Sequence, residues 1–382
     1  MTIGVIDADL ISRKKHRFPN LACMKISSYY KAQGHDVHLL TSYDEVENYE
    51  KVFISKVFTD TPIPDGILNL SWVEHGGTGF FYDKAPPLPH DIEHSMPDYH
   101  LYDNFIKKQI DDAVSQYDDE DDREAAYWRK RKEFEYYLDF SIGFTTRGCI
   151  RGCAFCVNKN YRQCVRHSPV SEFLDPERKY ICCLDDNVLS CRDWKSIFEE
   201  LNATGKRFQF KQGMDERLLT DEKCEVIFNS RWIGSYIFAF DNIKDRRIVT
   251  KKLDLIRKHT DKIPTFYVFC GFNHDAPDTY PVDFWAKDIA NLFERIKILI
   301  EHRCLPYVMR YKDYEKSPFS GMYVTIARWC NQPSFIKKKS FREFVMATQK
   351  HGEKAAMQYM TEFEQYHPLI ADKYFDMKWK EN

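Results

Sequence analysis

The sequence lacks both a strong net charge and a long apolar run. Its 56 basic and 58 acidic residues leave a formal charge of −2, which excludes a whole-molecule field that would draw nucleic acid or a membrane surface. No stretch approaches the roughly 18 apolar residues of a membrane helix, and residues 1–10 carry no basic leader. We therefore expect a cytoplasmic chain without a membrane partner.

A secretion signal and a solenoid repeat are also missing. Twelve cysteines are nevertheless present, so reduced thiols and metal ligation are expected rather than disulfides. The chain has 382 residues, of which 43% are hydrophobic. This is too long for one ordinary core, and two or three domains are expected.

The first hundred residues predict a small α/β domain with a parallel sheet. Apolar strands at 2–7, 36–40 and 51–57 accompany a helical pattern at 21–33, and a glycine turn follows at 76–79. This is a Rossmann-like arrangement, assigned to residues 1–100. Residues 101–137 carry an acidic block and then a basic block, which predicts a charged helical linker exposed to solvent.

Residues 138–312 alternate six apolar strand segments with stretches of helical spacing. Consecutive parallel strands need such helical crossovers. The pattern predicts an α/β fold class with a partial (β/α)6 barrel, a relative of the eight-unit TIM barrel. Residues 313–382 are basic, aromatic and amphipathic, and they predict a helical C-terminal extension.

Cys149, Cys153 and Cys156 lie in one loop directly after the first strand of that barrel. Active sites of such barrels lie at the carboxyl ends of the strands. A [4Fe-4S] cluster held by three thiolates keeps one iron open, and Gly148 and Gly152 allow the tight turns that such a loop needs. An open iron can chelate S-adenosylmethionine and support its reductive cleavage to a 5′-deoxyadenosyl radical.

A structural zinc site is the alternative interpretation of this loop. It needs a fourth ligand, and the nearest candidates in the sequence are Cys164 and His167. In that case the protein would be a structural zinc protein rather than an enzyme.

The three cysteines have CxxxCxxC spacing, aromatic Phe155 precedes the third of them, and the motif follows the first strand of a six-unit barrel. This combination resembles the radical SAM superfamily. The resemblance implies an enzyme that abstracts hydrogen from an unidentified organic substrate and receives electrons from a flavodoxin- or ferredoxin-type donor. It also implies that the backbone around Ala154, Phe155 and Cys156 contacts adenine.

The resemblance implies further cofactor contacts at the ends of the later strands. Asp186 stands where the family meets the amino group of S-adenosylmethionine, although the usual GGE is absent, and a turn or helix-capping residue is its alternative role. Gln212 and Arg217 match a QGxxxR stretch that positions cofactor or substrate, with a surface salt bridge as the alternative for Arg217.

Three more positions match the family only in their place along the barrel. Asp241, Gly271 and Met309 fall where the family contacts ribose and adenine. Simple core packing is the alternative role for Met309.

The N-terminal domain resembles the cobalamin-binding type found before some radical SAM barrels. It lacks the DxHxxG motif that supplies a histidine to cobalt, so an architectural role is expected and cobalamin is an unlikely cofactor. Only Cys23 precedes Cys149, which disfavours a methylthiotransferase with a second cluster. Cys304 and Cys330 are too few for a cysteine-rich extension with auxiliary clusters.

A different class of function is suggested by the basic and aromatic C-terminal region. Its members are Arg328, Trp329, Lys337, Lys338, Lys339 and Arg342. Such residues can contact phosphates and stack on bases. A nucleic-acid-binding or RNA-modifying protein is therefore the second hypothesis, with solvated helix faces as the plain alternative.

Overall fold

The computed structural model describes residues 1–13, 15–159, 161–350 and 354–380. The chain divides into two compact units. The first contains Met1–Gly152, Cys156–Asp185 and Glu199–Gln209, and the second contains Cys153–Phe155, Asp186–Phe198 and the rest of the chain from Phe210. In the described residues, no helix combines the length and the apolar character needed to cross a membrane.

The first unit begins with a four-stranded parallel sheet. Its strands are β1 (Thr2–Asp7), β2 (Asp36–Leu39), β3 (Lys51–Ser55) and β4 (Val73–Gly76). The order is β2-β1-β3-β4, with every pair parallel. The expected parallel sheet is therefore present, and β4 is a strand that the sequence pattern missed. Strand order reverses between β1 and β3, which is where open α/β sheets usually bind ligands.

Short helices connect and follow these strands. They are α1 (Ala8–Ser12), α2 (Leu21–Ala32), α3 (Thr78–Phe81) and α4 (His90–Glu93). The Asn20 side chain caps α2 by accepting a hydrogen bond from the Cys23 amide at 3.3 Å. Capping satisfies an amide that has no partner inside the helix.

The predicted linker is helical and only partly exposed. It contains α5 (Asp103–Val114), α6 (Glu120–Glu133) and α7 (Glu135–Leu138). Helix α5 buries Ile106 and Ile110 in the core of the N-terminal sheet. Helix α6 buries only Ala126, and its acidic first turn and basic last turn complement the helix dipole. The charged block is solvated as expected, whereas α5 belongs to the domain core.

The six strands predicted after residue 138 are all present, in two three-stranded sheets. One sheet has the order β5-β8-β9 and the other has the order β10-β11-β12. Their bounds are β5 (Phe140–Gly143), β8 (Tyr180–Cys183), β9 (Arg207–Phe210), β10 (Ile237–Ala239), β11 (Thr265–Cys270) and β12 (Leu305–Arg310). The pairs β5–β8, β10–β11 and β11–β12 are parallel. Closure of these strands into one partial barrel stays a prediction.

Helices follow the strands as the crossover rule requires. They are α8 (Trp194–Ala203), α9 (Asp221–Asn229), α10 (Arg246–His259) and α11 (Phe284–Glu301). A two-residue pair, β6 (Thr146–Arg147) and β7 (Val165–Arg166), runs antiparallel between β5 and β8 along the chain.

The C-terminal extension is helical, as predicted. It contains α12 (Ser320–Cys330), α13 (Pro333–Ile336), α14 (Phe341–Lys350), α15 (Lys354–Tyr366) and α16 (Pro368–Tyr374). Trp329 and Phe341 are fully buried, and the Trp329 indole donates to the Lys339 carbonyl at 3.0 Å. Arg342 forms ion pairs with Glu364 and Asp376. In this fold Trp329 cannot stack on a base, and Arg342 already has carboxylate partners.

Candidate functional site

The loop that carries the three predicted cluster ligands is closed at its base by β6 and β7. Thr146 pairs with Arg166, and Arg147 pairs with Val165. Inside the loop the Cys149 amide donates to the Tyr161 carbonyl at 3.2 Å. After β5 the chain enters the loop through β6 and leaves it through β7, so the two ends of the loop lie side by side.

The thiols of this loop differ in exposure from the other cysteines of the chain. Cys149, Cys153, Cys156 and Cys164 are half-buried. The other eight cysteines, Cys23, Cys182, Cys183, Cys191, Cys224, Cys270, Cys304 and Cys330, are buried. Accessible thiols are thus concentrated in the loop where the sequence predicts a cluster.

Gly148 makes the turn into this loop possible. Its φ of +97° lies in the region that favours glycine. A Cβ atom at this position would lie 2.1 Å from the Gln163 carbonyl oxygen. The close approach of two backbone segments therefore excludes any side chain at residue 148.

Backbone amides point at two of the thiols. The Arg151 amide donates to Cys149 Sγ at 3.3 Å, and the Asn158 amide donates to Cys156 Sγ at 3.4 Å. Amide donors favour a charged sulfur, and hydrogen bonds to cluster sulfurs tune their reduction potential. Accessible thiols with amide donors in a glycine-turned loop are residues that fit an iron–sulfur cluster.

The described residues offer no comparable site for a single metal ion. Among the described residues, no three His, Cys, Asp or Glu side chains converge on one ion. His167, one candidate for a fourth zinc ligand, has its Nδ1 2.9 Å from Ser168 Oγ and its Nε2 3.4 Å from Glu93 Oε1. The thiolates of a cubane bind different irons and so do not need to converge on one point.

Asp185 fixes the start of the cysteine loop, a role that the sequence analysis did not assign. Its carboxylate accepts from the Thr145 amide at 3.1 Å, the Thr145 hydroxyl at 2.5 Å and the Thr146 hydroxyl at 2.7 Å. The Thr146 amide is a fourth donor. Burial raises the pKa of Asp185, and these bonds act in the opposite direction. Asp185 therefore anchors the two residues that lead into β6.

Asp186, the predicted contact for the amino group of S-adenosylmethionine, is half-buried in the turn after β8. The cap position of the next short helix is Asn187. Asp186 thus has the turn position of its alternative role but not the capping position.

Arg217 is held by two carboxylates of the second unit. Its Nε donates to Asp215 at 2.7 Å, and its Nη1 donates to Asp245 at 2.8 Å. Both carboxylates stabilise the charged guanidinium and raise its pKa. The contacts of Arg217 are therefore those of the salt-bridge alternative, although its side chain is half-buried rather than on the open surface. Gln212, predicted beside it, is exposed.

Asp241 lies at the end of β10, where it contacts the neighbouring strand. Its carboxylate accepts from the Phe269 amide at 3.1 Å. Burial raises the pKa of Asp241 to about 6, while the Arg295 charge lowers it. Arg295 itself is buried and donates to the carbonyls of Phe240, Asp241 and Phe269 at 2.8–2.9 Å. It thereby joins the carboxyl ends of β10 and β11.

Gly271 follows β11 and is held by Asp288, which belongs to α11, as Arg295 does. Its amide donates to Asp288 Oδ2 at 2.8 Å, and its φ is +78°. Asp288 also accepts from the Tyr323 hydroxyl at 2.8 Å. Asp288 and Arg295 are seven residues apart and so share one face of α11. Neither residue was predicted from the sequence, although charged residues on a largely apolar helix face are a usable signal.

An aromatic cluster surrounds Phe155 within the second unit. Its members are Phe155, Phe269, Phe272, His274 and Tyr311. The ring of Phe155 lies 4.3 Å from Phe269, 5.6 Å from Phe272 and 5.8 Å from His274. Planar rings at such distances can accommodate another flat ring by offset or edge contacts. Phe155 is thus an aromatic contact point, whereas neighbouring Ala154 is exposed.

Met309 is not a core residue. In β12 the side chains of Pro306 and Val308 are buried, whereas Tyr307 and Met309 are 44% and 40% exposed. The alternation of a strand places Tyr307 and Met309 on the same face. This exposed face can receive a ligand, and the core-packing alternative for Met309 is wrong.

Glu216 is a buried carboxyl group near these strand ends that sequence reasoning missed. It is 2% exposed and accepts a long hydrogen bond of 3.4 Å from the Ala239 amide. Burial raises its pKa to about 8, and the Asp215 charge adds to the shift. Glu216 is therefore a neutral carboxylic acid at pH 7.

Glu216→Gln should change how stability depends on pH. Because the folded chain holds this proton up to about pH 8 and the unfolded chain releases it near pH 4.5, wild-type stability falls as pH rises through that window. The variant should match wild type near pH 4 and exceed its unfolding free energy by up to about 5 kcal/mol at pH 9. Urea unfolding measures this difference.

The matched control is Glu225→Gln, since Glu225 is an exposed residue of α9. Its stability should follow wild type at both pH values. A Glu216→Gln variant that is no more stable than wild type at pH 9 would contradict the buried neutral carboxyl.

The edge of the N-terminal sheet, where strand order reverses, is filled by the chain's own polar groups. The Asp7 carboxylate accepts from the Tyr102 hydroxyl at 3.0 Å and from the Leu10 amide at 3.2 Å. The Asn20 amide group donates to Ser55 at 2.9 Å. These groups satisfy one another across the ends of β1 and β3, which is typical of a structural role.

Comparisons with known proteins give similarity only at the level of structure. No family model matches the chain, and no curated protein matches its sequence. A solved structure of the radical S-adenosylmethionine methyltransferase TsrM from Kitasatospora setae, with cobalamin and a [4Fe-4S] cluster bound, is similar over 81% of this chain and 74% of that chain. Identity is 11% and the TM-score is 0.50.

Two further structures are less similar. TsrM with its tryptophan substrate and a SAM analogue covers 80% of this chain and 72% of that chain, with 10% identity and a TM-score of 0.49. Streptococcus suis SuiB covers 60% of this chain and 57% of that chain, with 11% identity and a TM-score of 0.31. At these identities the likeness to the first structure concerns the fold.

Proposed function

We propose that this chain is a radical SAM enzyme whose Cys149, Cys153 and Cys156 hold a [4Fe-4S] cluster. The observation that carries the proposal is the loop itself, in which accessible thiols, two amide–sulfur hydrogen bonds and the obligatory Gly148 occur together after β5. When bound, the cluster and S-adenosylmethionine supply a 5′-deoxyadenosyl radical that abstracts hydrogen from an organic substrate.

The proposed domain organisation follows from the order of the elements. Residues 1–100 form the Rossmann-like domain, 101–137 the linker, 138–312 a partial (β/α)6 barrel and 313–382 the extension. Six strands with helical crossovers support the barrel, and the similarity to a radical SAM methyltransferase fold supports the whole arrangement. The carboxyl ends of the six strands would then carry the site.

S-adenosylmethionine is proposed to lie against residues at these strand ends. Phe155 would contact adenine, since its half-buried ring belongs to an aromatic cluster, and the Ala154 backbone would follow it. The remaining proposed contacts are Asp186, Gln212, Asp241, Gly271 and Met309. Arg217 is proposed to act through Asp215 and Asp245 as a positioning residue, because both carboxylates already bind it.

The N-terminal domain is proposed to be a scaffold rather than a cobalamin site. Support comes from the mutual hydrogen bonds of Asp7, Tyr102, Asn20 and Ser55 at the sheet edge and from the absence of DxHxxG in the sequence. The TsrM structure contains cobalamin, so the proposal requires a test. Hydroxocobalamin should not co-elute with the purified chain during gel filtration, and stoichiometric co-elution would overturn the scaffold role.

Metal and sulfide analysis tests the proposed cluster site. After anaerobic reconstitution with iron and sulfide, the protein should contain about four irons and four sulfides per chain and be brown. Zinc without sulfide in a colourless protein would instead support a structural zinc site.

A further inference from the structure

The sheet formed by β10, β11 and β12 in the second unit has one buried face and one open face. Along β11, Phe266, Val268 and Cys270 are buried, whereas Tyr267 and Phe269 are half-buried. Successive side chains of a strand point to opposite sides of the sheet. Tyr267 and Phe269 therefore share the open face.

The strand register places two residues of β12 on the same face. Tyr267 lies directly beside Tyr307, and Phe269 lies directly beside Met309. The ring centres of Tyr267 and Tyr307 are 5.7 Å apart, and the ring planes meet at 63°. Tyr307 and Met309 are 44% and 40% exposed. These four side chains thus form one continuous surface, in which the two tyrosines are a pair.

The segment that follows β9 borders this surface on the side of β10. The Tyr267 hydroxyl donates to the Lys211 carbonyl at 3.4 Å. A Cβ atom on Gly213 would lie 3.3 Å from Ile237 Cγ2 and 3.7 Å from the Tyr267 ring. Tyr267 is therefore fixed between two neighbours, whereas Tyr307 belongs to the edge strand of the sheet.

The tyrosine pair is separate from the position proposed for adenine. Phe155 contacts the Phe269 ring, with 4.3 Å between the ring centres. Tyr267 precedes Phe269 by two residues, which is a distance of about 7 Å along a strand. A ligand that occupies the Phe155 and Phe269 rings thus leaves the tyrosine pair available to a second group.

We propose that Tyr267 and Tyr307 bind a planar aromatic group of the substrate and that Tyr307 determines specificity for it. The inference rests on the proposed function, because it takes the open face as part of the site where S-adenosylmethionine reacts. Two rings that meet at a steep angle offer one ring face and one ring edge. A flat aromatic group can contact both through the stacked and edge-to-face arrangements that such rings prefer.

A protein partner or a second copy of the chain fits this face less well. Stable protein interfaces cover roughly 800 Å² on each partner. On the open face of these three strands, the exposed side chains are those of Tyr307 and Met309. Apolar and aromatic side chains with a few polar groups, here two ring hydroxyls, are instead the usual lining of a small-molecule site.

The test compares binding of 2-naphthol and its saturated analogue decahydro-2-naphthol to the reconstituted holoenzyme. Ligand-observed NMR titrations are run with S-adenosylmethionine present and without reductant. Wild type should bind 2-naphthol at least about 5-fold more tightly, because contacts between aromatic rings add to simple burial. Tyr307→Leu should reduce this preference below about 2-fold, and Tyr307→Phe should keep it, since the ring is retained.

Tyr366→Leu is the matched control, with the same change at a tyrosine of α15 that is 73% exposed. Its preference for 2-naphthol should equal that of wild type. Phe155→Leu should also keep the preference, because the tyrosine pair remains intact. This variant separates the tyrosine pair from the position proposed for adenine.

Three results would overturn the aromatic substrate class. The first is that wild type binds both probes equally. The second is that Tyr366→Leu or Tyr307→Phe loses the preference as Tyr307→Leu does. The third is that Phe155→Leu loses it and Tyr307→Leu keeps it. Failure of wild type to form 5′-deoxyadenosine with dithionite would instead reject the proposed function, since the binding titrations do not depend on turnover.

Discussion

Cys153→Ala is expected to abolish both iron retention and cleavage of S-adenosylmethionine. The substitution removes one of three proposed iron–thiolate bonds. Loss of a residue that only supports a metal ligand typically lowers metal affinity about 10- to 100-fold, so loss of a ligand should cost more than about 100-fold. Iron analysis after anaerobic reconstitution and chromatography of 5′-deoxyadenosine measure the two losses.

The control for this prediction is Cys164→Ala in the same loop. Cys164 is also half-buried, but it is not one of the three proposed ligands. This variant should retain wild-type iron and product release. Equal loss in both variants would favour a four-ligand site that includes Cys164, which is the zinc geometry.

Gly148→Ala is expected to prevent the loop from closing and thereby to reduce cluster incorporation. The added Cβ would lie 2.1 Å from the Gln163 carbonyl oxygen, on backbone with φ of +97°. Backbone strain of this kind and a clash with main chain together should cost about 3 kcal/mol or more. We expect a matching loss of unfolding free energy in urea and iron content below half of wild type.

Gly205→Ala separates the clash from the strain. Gly205 has a φ of +71°, and a Cβ there would meet no atom within 4 Å. This variant should lose only about 1 kcal/mol and incorporate iron normally. If the two alanine variants behave alike, the close contact with Gln163 has no special role in the loop.

The strands that position the site were predictable because they are apolar runs. All six segments after residue 138 became strands, and three of the four N-terminal strands were expected. Strand β4 was not predicted, because only Val73 among its four residues is buried. An exposed edge strand of this kind carries no apolar signal and is recognised only when its partner is known.

Polar residues of the candidate site were harder to assign from sequence. Asp185 and Asp186 are adjacent and chemically identical, and the sequence analysis selected Asp186. Only the fold shows that Thr145 and Thr146 bind Asp185. The bond between Arg217 and Asp245 could not be identified either, because the two residues are 28 positions apart along the chain.

Burial also changes the role expected of the aromatic residues in the C-terminal extension. Trp329 was expected to stack on bases because it lies in a basic segment, yet it is fully buried in the helical core, as is Phe341. Sequence composition reports which side chains are present and not which face they occupy.

Release of 5′-deoxyadenosine is the measurement that tests the proposed enzyme most directly. The reconstituted wild-type protein is incubated anaerobically with S-adenosylmethionine and dithionite, alongside Cys153→Ala prepared in the same way. We predict that wild type forms 5′-deoxyadenosine and that the variant forms none above the protein-free background. Equal background amounts from wild type and variant would contradict the proposed radical SAM activity, provided that the wild-type sample is shown to contain iron and sulfide.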